Sequence, residues 1–163
     1  MKQYIFTRIG FQGLEKVIAE TQEKIDKIMA AKAEGAKNGD GWHSEQFKVM
    51  IAEEITWLTQ MEKLKEIKRR AKIVDPPEQN EFVTIGNGVV IQRNDEQPEK
   101  YFLGGYRLDN PPKKHISIQS PLGKALVRAK VGDIKIFQVE SQTFTVKILE
   151  IILPSQAKDI LWE

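Results

Sequence analysis

The chain has 163 residues, enough for one ordinary domain or two small ones, and its 40% hydrophobic content supports a modest core. It carries no cysteine, and its formal charge of +2 is a near balance among many charges of both signs. Disulfides, thiolate metal sites and cysteine nucleophiles are therefore excluded, and no basic block advertises bulk nucleic-acid binding. The absence of cysteine fits a reducing compartment. The two histidines, His43 and His115, lie in different halves of the chain and make no zinc cluster without several carboxylates. Residues Met1 to Arg8 lack the apolar run of a signal peptide and no segment approaches a membrane span, so a soluble, cytoplasmic protein without membrane contact is expected.

The short apolar stretch Tyr4-Ile5-Phe6 comes first, followed by Thr7 as a candidate helix cap and by Gly10 and Gly13 near the helix start. Leu14, Val17, Ile18, Thr21, Ile25, Ile28 and Ala31 then recur at threes and fours, with Glu15, Lys16, Glu20, Glu23, Lys24, Asp26 and Lys27 on the other faces. The same pattern returns as Phe47, Met50, Ile51, Ile55, Leu58, Met61, Leu64 and Ile67 and ends in the basic run Lys68-Arg69-Arg70-Ala71-Lys72. Two stripes of similar length joined by a short turn bury each other best as an antiparallel coiled coil, with helices of about 28 residues and roughly 42 Å each. Between them lies Asn38-Gly39-Asp40-Gly41-Trp42-His43-Ser44-Glu45, whose two glycines supply a reversal and whose polar residues crowd the tip of an αα-hairpin. Asp and Ser also serve as caps and turn formers, but an indole beside an imidazole gains nothing in a solvated turn.

Consecutive prolines at Asp75-Pro76-Pro77 stop the second helix by about Val74. The texture then changes to short β-branched and aromatic runs, Phe82 to Ile85, Val89 to Gln92, Tyr101 to Leu103, Lys135 to Val139 and Phe144 to Leu149. In Ser120-Pro121-Leu122-Gly123-Lys124-Ala125-Leu126-Val127, Ser then Pro reads as the cap and first residue of one short helix. The spacing predicts an α+β chain: a long antiparallel helical hairpin over 1–75 with its tip at 38–45, a linker over 76–80, and over 81–163 a small antiparallel β domain with one short helix. Gly86-Asn87-Gly88 reads as a hairpin turn and no phosphate loop, since nothing helical follows it. The apolar end Ile160-Leu161-Trp162 is expected to pack back onto the sheet.

His115-Ile116-Ser117-Ile118-Gln119-Ser120-Pro121-Leu122-Gly123-Lys124-Ala125-Leu126, followed by Val131-Gly132-Asp133, resembles the Ile-Ser-x-x-Ser-Pro-[Ile/Leu]-Gly-[Arg/Lys]-Ala-Leu motif and trailing Gly-Asp of the Gre transcript-cleavage factors of bacterial RNA polymerase. Phe82 to Val90 is similar to the opening strand of that family's carboxy-terminal domain, and Thr7 to Val17 to its first helix start. The resemblance is nearer to GreA than to GreB and covers nearly the full length. It implies an amino-terminal coiled coil that enters the polymerase secondary channel and a carboxy-terminal domain of FKBP-like fold, without prolyl isomerase activity, that grips the channel rim. It also implies a monomer whose partners are RNA polymerase and the nascent RNA 3′ end. Such a factor is no nuclease itself and binds no cofactor tightly. It lends carboxylates to a second Mg²⁺ of the polymerase active site, which then hydrolyses backtracked RNA.

The family's tip, Gly-Asp-Leu-x-Glu-Asn-x-Glu-[Tyr/Phe], corresponds here to Gly39, Asp40, Gly41, Trp42, His43, Ser44, Glu45, Gln46 and Phe47. Asp40 is kept, while His43 and Gln46 stand where the family has acidic residues. Imidazole is a poor ligand for hard Mg²⁺, so the implied catalytic set is Asp40, His43 and Glu45, with Asp40 and Glu45 as the metal ligands and His43 as a proton shuttle or a donor to the scissile phosphate. Against this stands the reading in which Asp40 caps a helix and Glu45 complements its dipole. Trp42 either stacks on the extruded RNA base or folds over the end of the hairpin. The basic run is a solvated face balancing Glu62 and Glu66, or else a polymerase contact. Residues Ser120, Pro121, Leu122, Gly123 and Lys124 are the polymerase-binding candidates. An inhibitory homologue that slows elongation without cleavage, and a coiled-coil chaperone unrelated to polymerase, are the competing functions.

Overall fold

The computed structural model describes residues 2–37, 44–106 and 113–162. The chain divides into two compact units, one of residues 12–71 and one of residues 3–11 together with 72–163. No helix among the described residues is long and apolar enough to cross a membrane.

The helical unit holds α1 (Arg8–Lys37) from residue 12 onward and α2 (Glu45–Arg69). Thr7 begins α1 as expected, its hydroxyl accepting from the Gly10 amide at 3.1 Å. Glu15 meets Lys68, Lys24 lies over the Trp57 ring and Lys32 meets Glu54. Residue numbers thus rise along one helix as they fall along the other, and the two run in opposite directions. On α1 the buried row falls where the periodicity puts it as far as Ile28, at Leu14, Thr21 and Ile25 with Ile18 and Ile28 half-buried, but Ala31 is exposed and Lys32 takes the next place in the row. On α2 the departure is larger: the row is Phe47, Met50, Glu54, Trp57, Met61, Leu64 and Ile67, while Ile51, Ile55 and Leu58 are 36%, 59% and 45% exposed. The steps from Phe47 by threes and fours pass over Glu54 and Trp57, and the three aliphatic residues stand beside that row on the solvent side. α2 also ends at Arg69, short of the prolines, because Ala71–Val74 forms strand β2 and pairs with β1 (Tyr4–Thr7).

The other unit holds a five-stranded sheet in the order β5-β4-β3-β7-β6, made of β3 (Gly88–Arg93), β4 (Glu99–Gly104), β5 (His115–Ser117), β6 (Ile134–Val139) and β7 (Gln142–Ile152). The sheet is mixed and not purely antiparallel, since β5 runs parallel to β4 with Leu103 opposite Ile116. The short helix α3 (Pro121–Leu126) supplies Leu126 to a core of Val83, Val89, Ile91, Leu103, Val146 and Ile148. These residues are shielded from water at roughly 25 cal/mol per Å² of apolar surface. The run Phe82 to Ile85 is no strand of this sheet. Val83 donates to the Ala129 carbonyl at 2.8 Å and accepts from Arg128 at 2.7 Å, so its backbone is satisfied by the segment after α3.

Without that strand, Gly86-Asn87-Gly88 is no hairpin turn. Gly86 has φ +91°, and fully buried Asn87 donates to the carbonyls of Gln79 and Ile152 at 2.8 and 3.0 Å while accepting from Thr84 at 3.0 Å. One amide thus closes three backbone groups that would otherwise be orphaned. At the end of the chain, α4 (Pro154–Ala157) and a 3-10 helix (Lys158–Trp162) bring Ala157 and Ile160 against Phe102, the packing expected of Ile160.

Candidate functional site

The candidate residues fall in both units. Asp40, Trp42 and His43 lie outside the described residues, so the carboxylate, indole and imidazole expected at the tip have no described geometry. Glu45 is the first residue of α2. Ser44 caps that helix, its hydroxyl accepting from the Phe47 amide at 3.1 Å, and Phe47 is buried at 3% exposure. The cap and the anchored ring fix the backbone on either side of Glu45, whose side chain stays 86% exposed. It pairs with Lys48, at 2.8 Å and itself 63% exposed. Such a surface pair contributes about 0.2–1 kcal/mol, so the carboxylate is easily released to another cation.

No three His, Cys, Asp or Glu side chains gather to hold a metal among the described residues. A single exposed carboxylate at a helix start fits an oxygen donor lent to a hard cation that other groups also hold.

The basic run at the other end of α2 is occupied locally. Arg69 and Arg70 both reach Glu66, at 2.6 and 2.5 Å, and Lys68 reaches Glu15 at 3.0 Å.

In the β unit, the Ser120 to Lys124 turn shows which atoms are spent on the fold. Ser120 accepts from the Gly123 amide at 3.0 Å and donates to the Ser117 carbonyl at 2.7 Å, with Pro121 in the first helical turn as the sequence suggests. Gly123 is required, because a β-carbon there would stand 1.9 Å from the Ser117 oxygen. Leu122 packs against the core, while Gln119, Pro121 and Lys124 are exposed. The turn therefore presents one proline ring, one amide and one ammonium to a partner.

A polar group that the sequence reading missed lies on β4. Tyr101 donates to Glu99, and Lys114 stands 3.8 Å from that carboxylate and 5.3 Å from the Tyr101 ring centre. The Tyr101 hydrogen bond, then the Lys114 charge, hold the Glu99 carboxyl below its usual range. Burial, then the bond to Glu99, push the Tyr101 hydroxyl above its usual range. The signal available was the Glu-x-Tyr alternation of a strand.

A hydroxyl-capped helix start carrying an exposed carboxylate, and a separate β unit with a Ser-Pro-Leu-Gly helix cap, define a two-unit α+β protein without an enclosed metal centre among its described residues. Residues 78–153 match the family described as Transcription elongation factor, GreA/GreB, C-term. The chain is 30% identical to transcription elongation factor GreB of Yersinia pestis over 162 residues, covering 92% of this chain and 89% of that one. It is 29% identical to transcription elongation factor GreA of Acetivibrio thermocellus over 154 residues, covering 92% and 96%. The chain belongs to the GreA/GreB family of transcription elongation factors. Among solved structures it also aligns with GreA factor homolog 1 of Thermus thermophilus at 18% identity, covering 92% of this chain and 99% of that chain with a TM-score of 0.44, too loose a likeness to add to the assignment.

Proposed function

We propose that this protein is a transcription elongation factor that binds bacterial RNA polymerase, inserts residues 1–75 as an antiparallel coiled-coil hairpin through the secondary channel, and stimulates the polymerase's own cleavage of backtracked RNA. The observation that carries the reading is family membership over nearly the whole chain, joined to the exposed Glu45 carboxylate at the capped start of α2. Residues 81–163, beyond a linker at 76–80, form the polymerase-binding domain of FKBP-like fold, with Ser120, Pro121, Leu122, Gly123 and Lys124 at the contact. Asp40 and Glu45 offer oxygen ligands at the hairpin end. Glu45 exchanges the Lys48 ammonium for the cation, and the Ser44 cap keeps its backbone from moving as it does so. Asp40 and Glu45 would help to hold a second magnesium of the polymerase site, which would supply activation of the attacking water and charge stabilisation of the leaving oxygen. His43 relays a proton, and Trp42 stacks on the extruded base. The protein acts as an activator, a cytoplasmic monomer with no tightly bound cofactor.

Adding the protein to a backtracked polymerase complex with magnesium should shorten the RNA from its 3′ end. Asp40→Ala and Glu45→Ala should each lower that rate by roughly 100-fold, the scale on which a lost transition-state contact is read. His43, standing where the family has a carboxylate, favours one other outcome: elongation slowed with no cleavage product, which would identify an occluding inhibitor and overturn the cleavage reading.

A further inference from the structure

The buried row of α1 runs through Leu14, Ile18, Thr21, Ile25 and Ile28 to Lys32, and that of α2 through Phe47, Met50, Glu54, Trp57, Met61 and Leu64. Both rows step by threes and fours, so Lys32 and Glu54 occupy core positions of the repeat. Their charged ends meet, and their side chains are only 27% and 16% exposed. A second ion pair between the two helices, Lys68 with Glu15, is 45% and 47% exposed and lies at the surface. Taking two charges out of water is costly where an aliphatic pair would pack at no such cost, and the best-attested gain from a polar pair in a helical seam is a unique register.

From this placement we infer that Lys32 and Glu54 are positioning residues, whose pairing fixes the register of α1 against α2 and thereby keeps Glu45 at the end of the hairpin. The aliphatic members of the rows do not discriminate well between alignments, because Ile, Leu and Met exchange for one another at little cost. A shift by one heptad would set Lys32 against Phe47 or Met61, and in one direction Glu54 against Ile25. Each leaves a lone charge among apolar groups, which is strongly destabilising. Such a slip must also part β1 from β2, which flank the two helices, and it lengthens one arm at the expense of the other, drawing Glu45 off the end and along an arm. The consequence for cleavage rests on the function proposed above; the register itself does not.

The natural absence of cysteine allows paired spin labels at Ala19→Cys and Glu53→Cys, both exposed. The otherwise native protein should give one distance. Lys32→Leu with Glu54→Leu keeps an aliphatic seam and stays folded, and it should add a second population displaced by about 5–10 Å, one to two helical turns. The exchange Lys32→Glu with Glu54→Lys should restore the single distance. One unshifted distance in the double-leucine protein overturns the inference.

On backtracked polymerase the double-leucine protein should bind with native affinity but cleave about tenfold more slowly, with rescue by the exchanged pair, since a misplacement of about 1 Å can cost up to ~100-fold. Slipped register with native cleavage would remove the positioning role. If the native protein stimulates no cleavage, the functional reading fails, while the distances still decide the register without polymerase.

Discussion

The β unit closes over Val83, Val89, Ile91, Leu103, Leu126, Val146 and Ile148, each at most 2% exposed. The helical unit closes over Leu14, Ile25, Met61 and Leu64, but the same two rows also hold Thr21, Lys32, Glu54 and Trp57. A layered sheet and helix can be specified by apolar volume alone, because strand register already dictates which side chains turn inward. Two helices packed side by side have no such dictation, since a slide by one turn costs them little, and polar members of the row restrict the alignments.

This contrast can be broken most sharply in the β unit. Leu126→Ala should cost about 2–5 kcal/mol, measured as a lowered denaturation midpoint, with hydrogen exchange rising across the sheet and not in α1 or α2. A smaller loss, about 1–3 kcal/mol, is expected for Gly123→Ala, where the added methyl meets the Ser117 carbonyl; native stability there would mean the turn is looser than described. In the helical unit, Glu54→Ala leaves a largely buried Lys32 without this carboxylate and should cost about 1–2 kcal/mol, seen as faster exchange confined to α1 and α2. Ile55→Lys, on the solvent side of α2, should change stability by no more than about 0.5 kcal/mol; a loss comparable with that of Glu54→Ala would restore Ile55 to the seam.

The smallest effect concerns pH. Glu99 titrates below its usual range in the folded chain, so its contribution is present above the unfolded value and is lost as pH falls through the folded one. Tyr101→Phe removes the largest cause of that shift. The Glu99 carboxyl resonance should then titrate at a higher pH; an unmoved titration would assign the shift to Lys114.

The long helices were legible because threes-and-fours spacing persists over many turns in both, and Thr7 and Ser120 announce their helix starts chemically. The row expected on α2 fails at Ile51, Ile55 and Leu58 because hydrophobicity marks a face only when the partner helix lies on that side, and the partner is set by tertiary contact. For the same reason Phe82 to Ile85 looked like a strand: its β-branched composition is real, yet its backbone partners come from the segment after α3. Strand β5 has three residues, too few for a period, and nothing local reveals that it runs parallel to β4. At the candidate site, Ser44 and Glu45 could be read as a helix start, whereas the Lys32 and Glu54 pair needed both helices in view.

The pairing of β1 with β2 bears on how this architecture can vary. The polypeptide leaves one paired strand to enter the helices and comes back into the other, so the helical arms are a detour between two fixed addresses. Adding or deleting seven residues in each arm would preserve the phase of both rows and the strands at their base, while changing the detour's length by about 10 Å per step. Matched insertions or deletions would thus lengthen or shorten both helices together, with no change to the residues of the five-stranded sheet.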